Sequence, residues 1–150
     1  MFLQMDDCGM IFKISTRGQG LYEFTGQVRS FVEGASGGGG GVVVLFVRHT
    51  SCSLLIQENA DPDVQSDLRA YFSRFAPPAD DPAMGWITHR AEGPDDMPAH
   101  IKASVLPVSL SIPVFDGRMA LGTWQGIYLF EHRDMAHDRQ VAATFLPAQV

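Results

Sequence analysis

The sequence predicts a single α+β domain over residues 1–150, in which a mostly antiparallel β-sheet or sandwich packs against two or three helices. Three observations support this fold class. The last third of the chain alternates short apolar segments with polar turns, as an antiparallel meander does. Two earlier segments carry apolar residues at helical spacing. A hydrophobic content of 45% over 150 residues is enough for one packed core, and no internal repeat is present.

The first third is expected to contain a strand, a helix and a second strand. Residues 10–16 mix apolar and polar side chains as a partly exposed strand does, and Thr25 is placed to cap a short helix. The helix is expected to stop within residues 34–36 and the glycine run 37–41. This run is interpreted as a flexible connector because it lacks the Gly-Lys-Ser/Thr ending of a phosphate-binding loop. Residues 42–47 are apolar throughout, which predicts a strand covered on both faces. The apolar face of the helix consists of Val28, Phe31 and Val32.

The middle third is expected to hold a strand, a helix and a long polar loop. Residues 53–57 form the strand, and Asp61 followed by Pro62 is typical of the start of a helix, which then ends before Pro77. Residues 76–98 are rich in Pro, Asp and Gly, yet they include Trp86, His89, Arg90 and Glu92. Because such residues are unusual in a mere linker, this segment is interpreted as a site loop. The apolar face of the helix consists of Val64, Leu68, Phe72 and Phe75.

The last third is expected to begin with a short helix and to continue as the meander. Pro98 is placed to start the helix, which turns Ile101 and Val105 inward. The pair Asp116-Gly117 is a two-residue hairpin signal between the first two strands of the meander. These strands are predicted at residues 108–114, 121–132 and 141–146.

Charge, hydropathy and cysteine content disfavour several classes of protein. A formal charge of −6 and a pI near 5.2 leave no basic field for nucleic acid. The longest apolar run, residues 42–47, is too short to cross a membrane, and the first ten residues lack the pattern of a signal peptide. With only Cys8 and Cys52 and no CxxC spacing, we expect a reduced, cytoplasmic setting. Four basic residues are expected to be solvated, although those beside the histidines would also suit a phosphate-bearing ligand: Arg48, Arg90, Lys102 and Arg118.

Three histidines are the strongest candidates for chemistry. His49, His89 and His100 lie at the ends of predicted elements or in the polar loop, where side chains can converge on one cleft. Imidazole is the usual protein ligand of zinc, although each histidine taken alone is explained equally by a local hydrogen bond. A nucleophilic alternative rests on Ser51, Cys52 and Ser53, which adjoin His49. It is disfavoured because no Gly-x-Ser-x-Gly segment is present and Cys52 fits a buried strand position.

Several separated segments together resemble one known family. The segments are HTSCSL at 49–54, ENADPDV at 58–64, HRAEG at 89–93 with Asp95 and His100 following, GTWQGIY at 122–128 and EHRD at 131–134. In this order they resemble the YjbQ family, often labelled secondary thiamine-phosphate synthase, and the resemblance covers nearly the whole chain. It implies a small α+β protein that assembles as a homotrimer, with a histidine-lined, metal-capable pocket. The implied activity joins a pyrimidine diphosphate to a thiazole phosphate with loss of diphosphate.

The resemblance leads to a set of expected site residues. Both ends of the strand that follows His49 are expected to line one pocket, because Glu58 and Asn59 leave it at the other end. The alternative function is a non-catalytic metal or small-ligand binding protein. A homotrimer is also favoured because two or three helices can hardly cover the apolar meander. Catalytic roles are assigned to His49, His89 and Glu58; binding of a divalent metal ion, zinc or magnesium, to His49, His89 and His100; and contacts with a phosphorylated ligand to Ser51, Ser53, Asn59, Arg90 and Gln125.

Overall fold

Two antiparallel sheets and three helices build the described part of the chain, which confirms the predicted α+β class. The computed structural model describes residues 2–5 and 9–149, so Cys8 lies outside the described residues. The larger sheet has the strand order β1-β2-β9-β4-β6-β7, and the smaller has the order β3-β8-β5. The strands are β1 (Phe2–Met5), β2 (Gly9–Ser15), β3 (Gly20–Glu23), β4 (Gly41–Val47), β5 (Cys52–Glu58), β6 (Ser109–Phe115), β7 (Arg118–Met119), β8 (Gln125–Glu131) and β9 (Asp138–Pro147). The helices are α1 (Thr25–Ser36), α2 (Pro62–Phe75) and α3 (Asp96–Val105), with a 3-10 turn at Pro82–Met84.

The main core lies between the two sheets and includes the apolar face of α1. Leu45 of β4 is fully buried in one cluster with Leu54 and Leu129 of the smaller sheet. Val28 and Val32 of α1 belong to the same cluster, as their helical spacing predicted. Side chains from facing sheets meet in this way because alternate residues of each strand point to the same side.

The start of α1 differs from the expected one. The cap position is Phe24 rather than Thr25, and no side-chain hydrogen bond caps the helix. The Thr25 hydroxyl donates to Oε2 of Glu23 at 2.7 Å and accepts the backbone N–H of Ile127 at 2.8 Å. Thr25 therefore ties α1 to β8, because a tertiary hydrogen bond takes the hydroxyl that a cap would use.

One face of the larger sheet is uncovered in the single chain, so the prediction that residues 42–47 are covered on both faces is wrong on that side. Phe46 of β4 is 49% exposed, Phe115 of β6 is 67% exposed and Leu146 of β9 is 54% exposed. Val42 of β4 pairs with Leu146 on one side and with Pro113 on the other, so β4 lies between β9 and β6 and the three exposed residues lie on neighbouring strands. Helices α2 and α3 pack instead against β3 and β5 of the smaller sheet.

Helix α2 begins as predicted but buries little of its apolar face. Oδ1 of Asp61 accepts the backbone N–H of Asp63 at 2.9 Å, and Pro62 occupies the first turn. Phe72 meets the ring of Phe130 on β8 edge to face, with ring centroids 5.6 Å apart. No residue of this 14-residue helix is fully buried. Among the described helices, none combines the length and the apolar character needed to cross a membrane.

Helix α3 starts two residues earlier than predicted, at Asp96, so Pro98 lies within its first turn. Ile101 packs on a small second cluster that contains Met84 and Ile87 of the polar loop. Val105 is 57% exposed, which corrects the expectation that it turns inward. The helix is thus fixed mainly by its N-terminal half, where the polar loop meets it.

Candidate functional site

His89, Asp96 and His100 form a compact group of possible metal ligands. His89 lies in the loop before α3, while Asp96 and His100 are four residues apart on α3. Nε2 of His89 is 2.7 Å from Oδ2 of Asp96, and Nε2 of His100 is 3.2 Å from the same oxygen. One ligand atom of each residue lies within 4.8 Å of the other two. The structure therefore brings together two of the three histidines that the sequence singled out.

Neighbouring groups orient this cluster. Nδ1 of His100 donates to the carbonyl oxygen of Thr50 at 2.9 Å, so Nε2 of the neutral ring carries the lone pair. That lone pair faces a carboxylate oxygen, an arrangement that a shared cation or an added proton stabilises. Asp96 is 2% exposed at its side chain, and its Oδ1 accepts from Arg133 at 2.6 Å. Burial alone would raise the pKa of Asp96, but the hydrogen bond with His89 and the nearby positive charges lower it below its ordinary value.

The donor set fits zinc better than magnesium. Two imidazole nitrogens and one carboxylate oxygen form a three-ligand set that leaves a fourth position open, as in catalytic zinc sites. Magnesium prefers oxygen ligands throughout. The side chains of His89 and His100 are 45% and 32% exposed, so a fourth ligand can enter from solvent. Arg133 on Asp96 and the Thr50 carbonyl on His100 are the kind of outer contacts that orient metal ligands.

His49 does not join this group, which corrects its assignment as a metal ligand. Its Nε2 accepts the backbone N–H of Gln140 at 2.8 Å. The proton of the neutral ring then lies on Nδ1, and neither nitrogen offers a free lone pair. Burial and the charge of Arg139 lower the pKa of His49 below its ordinary value, which favours this neutral form. His49 therefore links the segment after β4 to β9.

Glu131 and Arg139 form a buried ion pair between the two sheets. Arg139 donates from Nε to Oε1 at 2.8 Å and from Nη2 to Oε2 at 2.5 Å. Glu131 is 0% exposed and Arg139 is 4% exposed. Burial would raise the pKa of Glu131, but hydrogen bonds from Arg139 and Thr16 lower it. Arg139 also donates to the Ser51 hydroxyl at 2.9 Å, so the structure places Ser51 in this internal network.

Ser53 and His132 form a second buried pair. Oγ of Ser53 is 2.9 Å from Nε2 of His132, and the two residues are 0% and 1% exposed. Within the described residues, Nδ1 of His132 has no hydrogen-bond partner. Burial, with the charge of Lys102, lowers the pKa of His132 to about 3, so the ring is neutral near pH 7. Ser53 is thus closed off from a ligand in the single chain.

Cys52 occupies a fully buried position in the core between the sheets. Burial raises the pKa of its thiol to about 12, so almost no thiolate exists near neutral pH. Because the thiolate is the reactive form, this burial agrees with a packing role for Cys52 and disfavours the nucleophilic alternative.

The other end of β5 lies away from the histidines, so the single pocket expected from both strand ends is not formed within one chain. Strand β5 has seven residues, which span roughly 20 Å. Asn59 and Gln125 line a separate cleft of about 470 Å³ between α1, β7 and the start of β8. Glu58 lies at this same end, where its carbonyl oxygen accepts from the Tyr128 hydroxyl at 3.4 Å.

Arg90 closes the polar loop on itself. Its guanidinium donates to the backbone carbonyls of Ala79, Met84 and Ile87 at 2.9, 3.0 and 3.3 Å. These bonds fix the loop that carries His89. Because these carbonyls take three of the five guanidinium N–H donors, the contact of Arg90 with a phosphate group stays a prediction.

Three residues of this region were missed or misjudged from the sequence. Asp96 had a usable signal, because an acid four residues before His100 shares its side of a helix. Arg133 gave no local signal that it reaches across to Asp96. Lys102 was expected to be solvated, but it is 3% exposed and donates to Oε1 of Gln19 at 3.1 Å.

Comparison with known proteins finds similar chains. A family model described as UPF0047 protein YjbQ-like matches residues 10–148. The UPF0047 protein sll1880 of Synechocystis sp. is 46% identical over 131 residues, which are 87% of this chain and 86% of that protein. The UPF0047 protein YjbQ of Salmonella typhimurium is 42% identical over 131 residues, 87% and 91% of the two chains. The crystal structure of an uncharacterized conserved protein of the YjbQ/UPF0047 family from Clostridium acetobutylicum has a TM-score of 0.76 at 33% identity, covering 92% of this chain and 98% of that one.

Proposed function

This chain belongs to the UPF0047 YjbQ-like family, and we propose that it is a zinc protein whose His89, Asp96 and His100 bind the ion and act on a phosphorylated small molecule. The observation that carries the proposal is the contact of two imidazole Nε2 atoms with one carboxylate oxygen. His100 is held with its lone pair toward that oxygen by the Thr50 carbonyl. A cation among the three side chains would replace the proton between His89 and Asp96 and would bind both imidazole nitrogens and the carboxylate oxygen.

The specific reaction that the family resemblance favours is thiamine-phosphate synthesis from a pyrimidine diphosphate and a thiazole phosphate. Zinc with an open position supplies a Lewis acid for phosphoryl oxygens. The residues of this chain hold the ligands in place: Arg133 fixes Asp96, and the Arg90 bonds to the loop carbonyls position His89. The alternative is that the same three residues hold the ion without turnover. A cytoplasmic location stays a prediction of the sequence.

Zinc binding tests the centre directly. We expect His100→Ala and His89→Ala each to weaken zinc binding by a factor of about ten or more, because a direct ligand is lost. Affinity is measured by competition with a chromophoric chelator near neutral pH. His137→Ala is the matched control, since the His137 side chain is 33% exposed against 32% for His100 and lies outside the group. His49→Ala is expected to leave the affinity unchanged; an equal loss in the His49 and His100 variants would contradict the centre described here.

Turnover is tested separately with zinc-loaded protein and the two phosphorylated precursors. The wild-type chain and His137→Ala are expected to form thiamine phosphate, whereas Asp96→Asn and His100→Ala are expected to lose most of this activity. Zinc binding by the wild-type chain without any product would overturn the enzymatic part of the proposal and leave the non-catalytic alternative.

We also propose that the uncovered face of the larger sheet joins subunits of a homotrimer. Phe46, Phe115 and Leu146 expose apolar surface on this face, and such patches commonly mark an interface. Sedimentation at micromolar concentration is expected to show a three-subunit species, which Phe46→Asp shifts to monomer. Trp86→Asp serves as the control, because Trp86 is 67% exposed but lies on the polar loop. A monomeric wild-type protein would rule out this assembly.

A further inference from the structure

The cleft at the far end of β5 has the composition of a second ligand site. Its volume of about 470 Å³ lies within the range of small-molecule pockets. Helix α1 forms one side, strand β7 forms another, and the segment before β8 closes it together with Asn59. The metal group lies beyond the other end of β5, at the start of α3, so the two sites use different residues.

Two unpaired guanidinium groups give this cleft a positive character. Arg29 of α1 and Arg118 of β7 both line it, and Glu33 is the acid among its lining residues. Across the described residues, neither arginine has an ion-pair or side-chain hydrogen-bond partner. Other exposed arginines, such as Arg17 and Arg74, also lack a side-chain partner among the described residues, and Arg29 and Arg118 differ from them because both line one cleft. Two free guanidinium groups in one cleft match a dianion.

Amide groups and an apolar wall complete the lining. Oε1 of Gln125 accepts the backbone N–H of Gly122 at 2.7 Å, which directs the side chain and leaves its amide N–H groups as donors. Nδ2 of Asn59 donates to Glu23 at 3.2 Å, which leaves Oδ1 as an acceptor. Met119 and Leu121, which are only partly buried, supply apolar surface beside these groups. The cleft therefore offers a charged part and an apolar part to one ligand.

We propose that this cleft binds a small organic phosphate monoester, with the phosphate between Arg29 and Arg118 and the organic part against Met119 and Leu121. A phosphate dianion takes paired N–H donors from guanidinium groups, and Gln125 adds a neutral donor. The apolar wall favours an ester over inorganic phosphate, because a free anion leaves that surface unused. Binding at this cleft does not require the zinc centre.

The test uses phenyl phosphate and metal-free protein in the presence of a chelator. Trp124 is 62% exposed and lies between Thr123 and Gln125 of the cleft, so its fluorescence reports binding in a Trp86→Phe background. We expect saturable binding with a dissociation constant of about 1 mM or tighter. Arg29→Met and Arg118→Met are each expected to weaken it about tenfold, and the double variant to abolish it. Arg74→Met, which removes an exposed arginine on α2, is the control and is expected to change the affinity less than twofold.

Two simpler ligands show whether the cleft recognises the charge and the ring together. Phenol, which has the ring without the phosphate, and inorganic phosphate, which has the charge without the ring, are both expected to bind at least tenfold more weakly than phenyl phosphate. The proposal is overturned if the double arginine variant binds phenyl phosphate as tightly as the wild type. It is also overturned if the metal-free wild-type protein shows no saturable binding, since the cleft residues are then insufficient by themselves.

Discussion

Replacement of Arg139 by methionine is expected to lower the free energy of unfolding by about 3–5 kcal/mol, because it leaves the buried Glu131 carboxylate without its cation. Arg139 donates to both carboxylate oxygens of Glu131 and to the Ser51 hydroxyl, and the pair joins the two sheets. Methionine preserves much of the side-chain volume, so the lost free energy of unfolding comes from the missing charge and its hydrogen bonds. Urea unfolding at one fixed protein concentration, which keeps the association state constant, measures the difference.

Two further variants make this result specific. Arg17→Met removes an exposed arginine that has no side-chain partner among the described residues, and it is expected to change the free energy of unfolding by less than about 0.5 kcal/mol. Adding Glu131→Gln to Arg139→Met removes the unpaired charge and is expected to recover part of the loss. A loss below about 1 kcal/mol for Arg139→Met would contradict the prediction and show that the remaining donors to Glu131 suffice.

The second large effect is a loss of stability on acidification that depends on His132. Its pKa is about 3 in the folded chain against an ordinary value of 6.5, so between these limits the unfolded chain binds a proton that the folded chain does not. Stability from this group is therefore full above pH 6.5 and falls as the pH drops toward 3. Between pH 6.5 and 4.5 the wild-type protein is expected to lose about 2 kcal/mol more than His132→Gln, which does not titrate.

The pH window is chosen to isolate the histidine. The pKa of Glu131 is lowered from an ordinary value of 4.5, so its own loss of stability begins below that pH and has the same sign. A chelator in all samples removes any contribution from metal release, and His49 titrates in both proteins alike. Parallel curves for the wild type and His132→Gln would refute the prediction, since they would mean that His132 takes up its proton without unfolding.

Much of the fold could be predicted because apolar spacing reports which side of an element packs. Val28 and Val32 of α1 illustrate this, and Asp61 with Pro62 located the start of α2 because a cap is a local interaction. The predictions failed where contacts between residues far apart in the sequence determine the role or the burial of a residue. Thr25 looked like a cap, but Ile127 on β8 takes its hydroxyl, and the uncovered side of residues 42–47 cannot be read from a wholly apolar run.

The candidate site could be predicted only in part, for a similar reason. His89 and His100 stand at element ends, and their positions suggested convergence. His49 shares that local signature, yet a backbone N–H on β9 uses its lone pair. The separation of Asn59 from the histidines follows from the length of β5 alone, so the prediction of one pocket at both strand ends was wrong for a reason that the sequence already contained.

In the turn after β4, two consecutive main-chain carbonyls accept hydrogen bonds from side chains in two distant parts of the fold. The Thr50 carbonyl accepts from His100, and the Ser51 carbonyl accepts from Arg139 at 3.3 Å. Since every residue type supplies a carbonyl, alanine scanning at position 50 would register almost nothing, although that peptide orients a candidate metal ligand. Side-chain replacement in this turn therefore does not test the role of its backbone. A change of backbone path, such as an inserted residue, would test it, because it moves the two carbonyls.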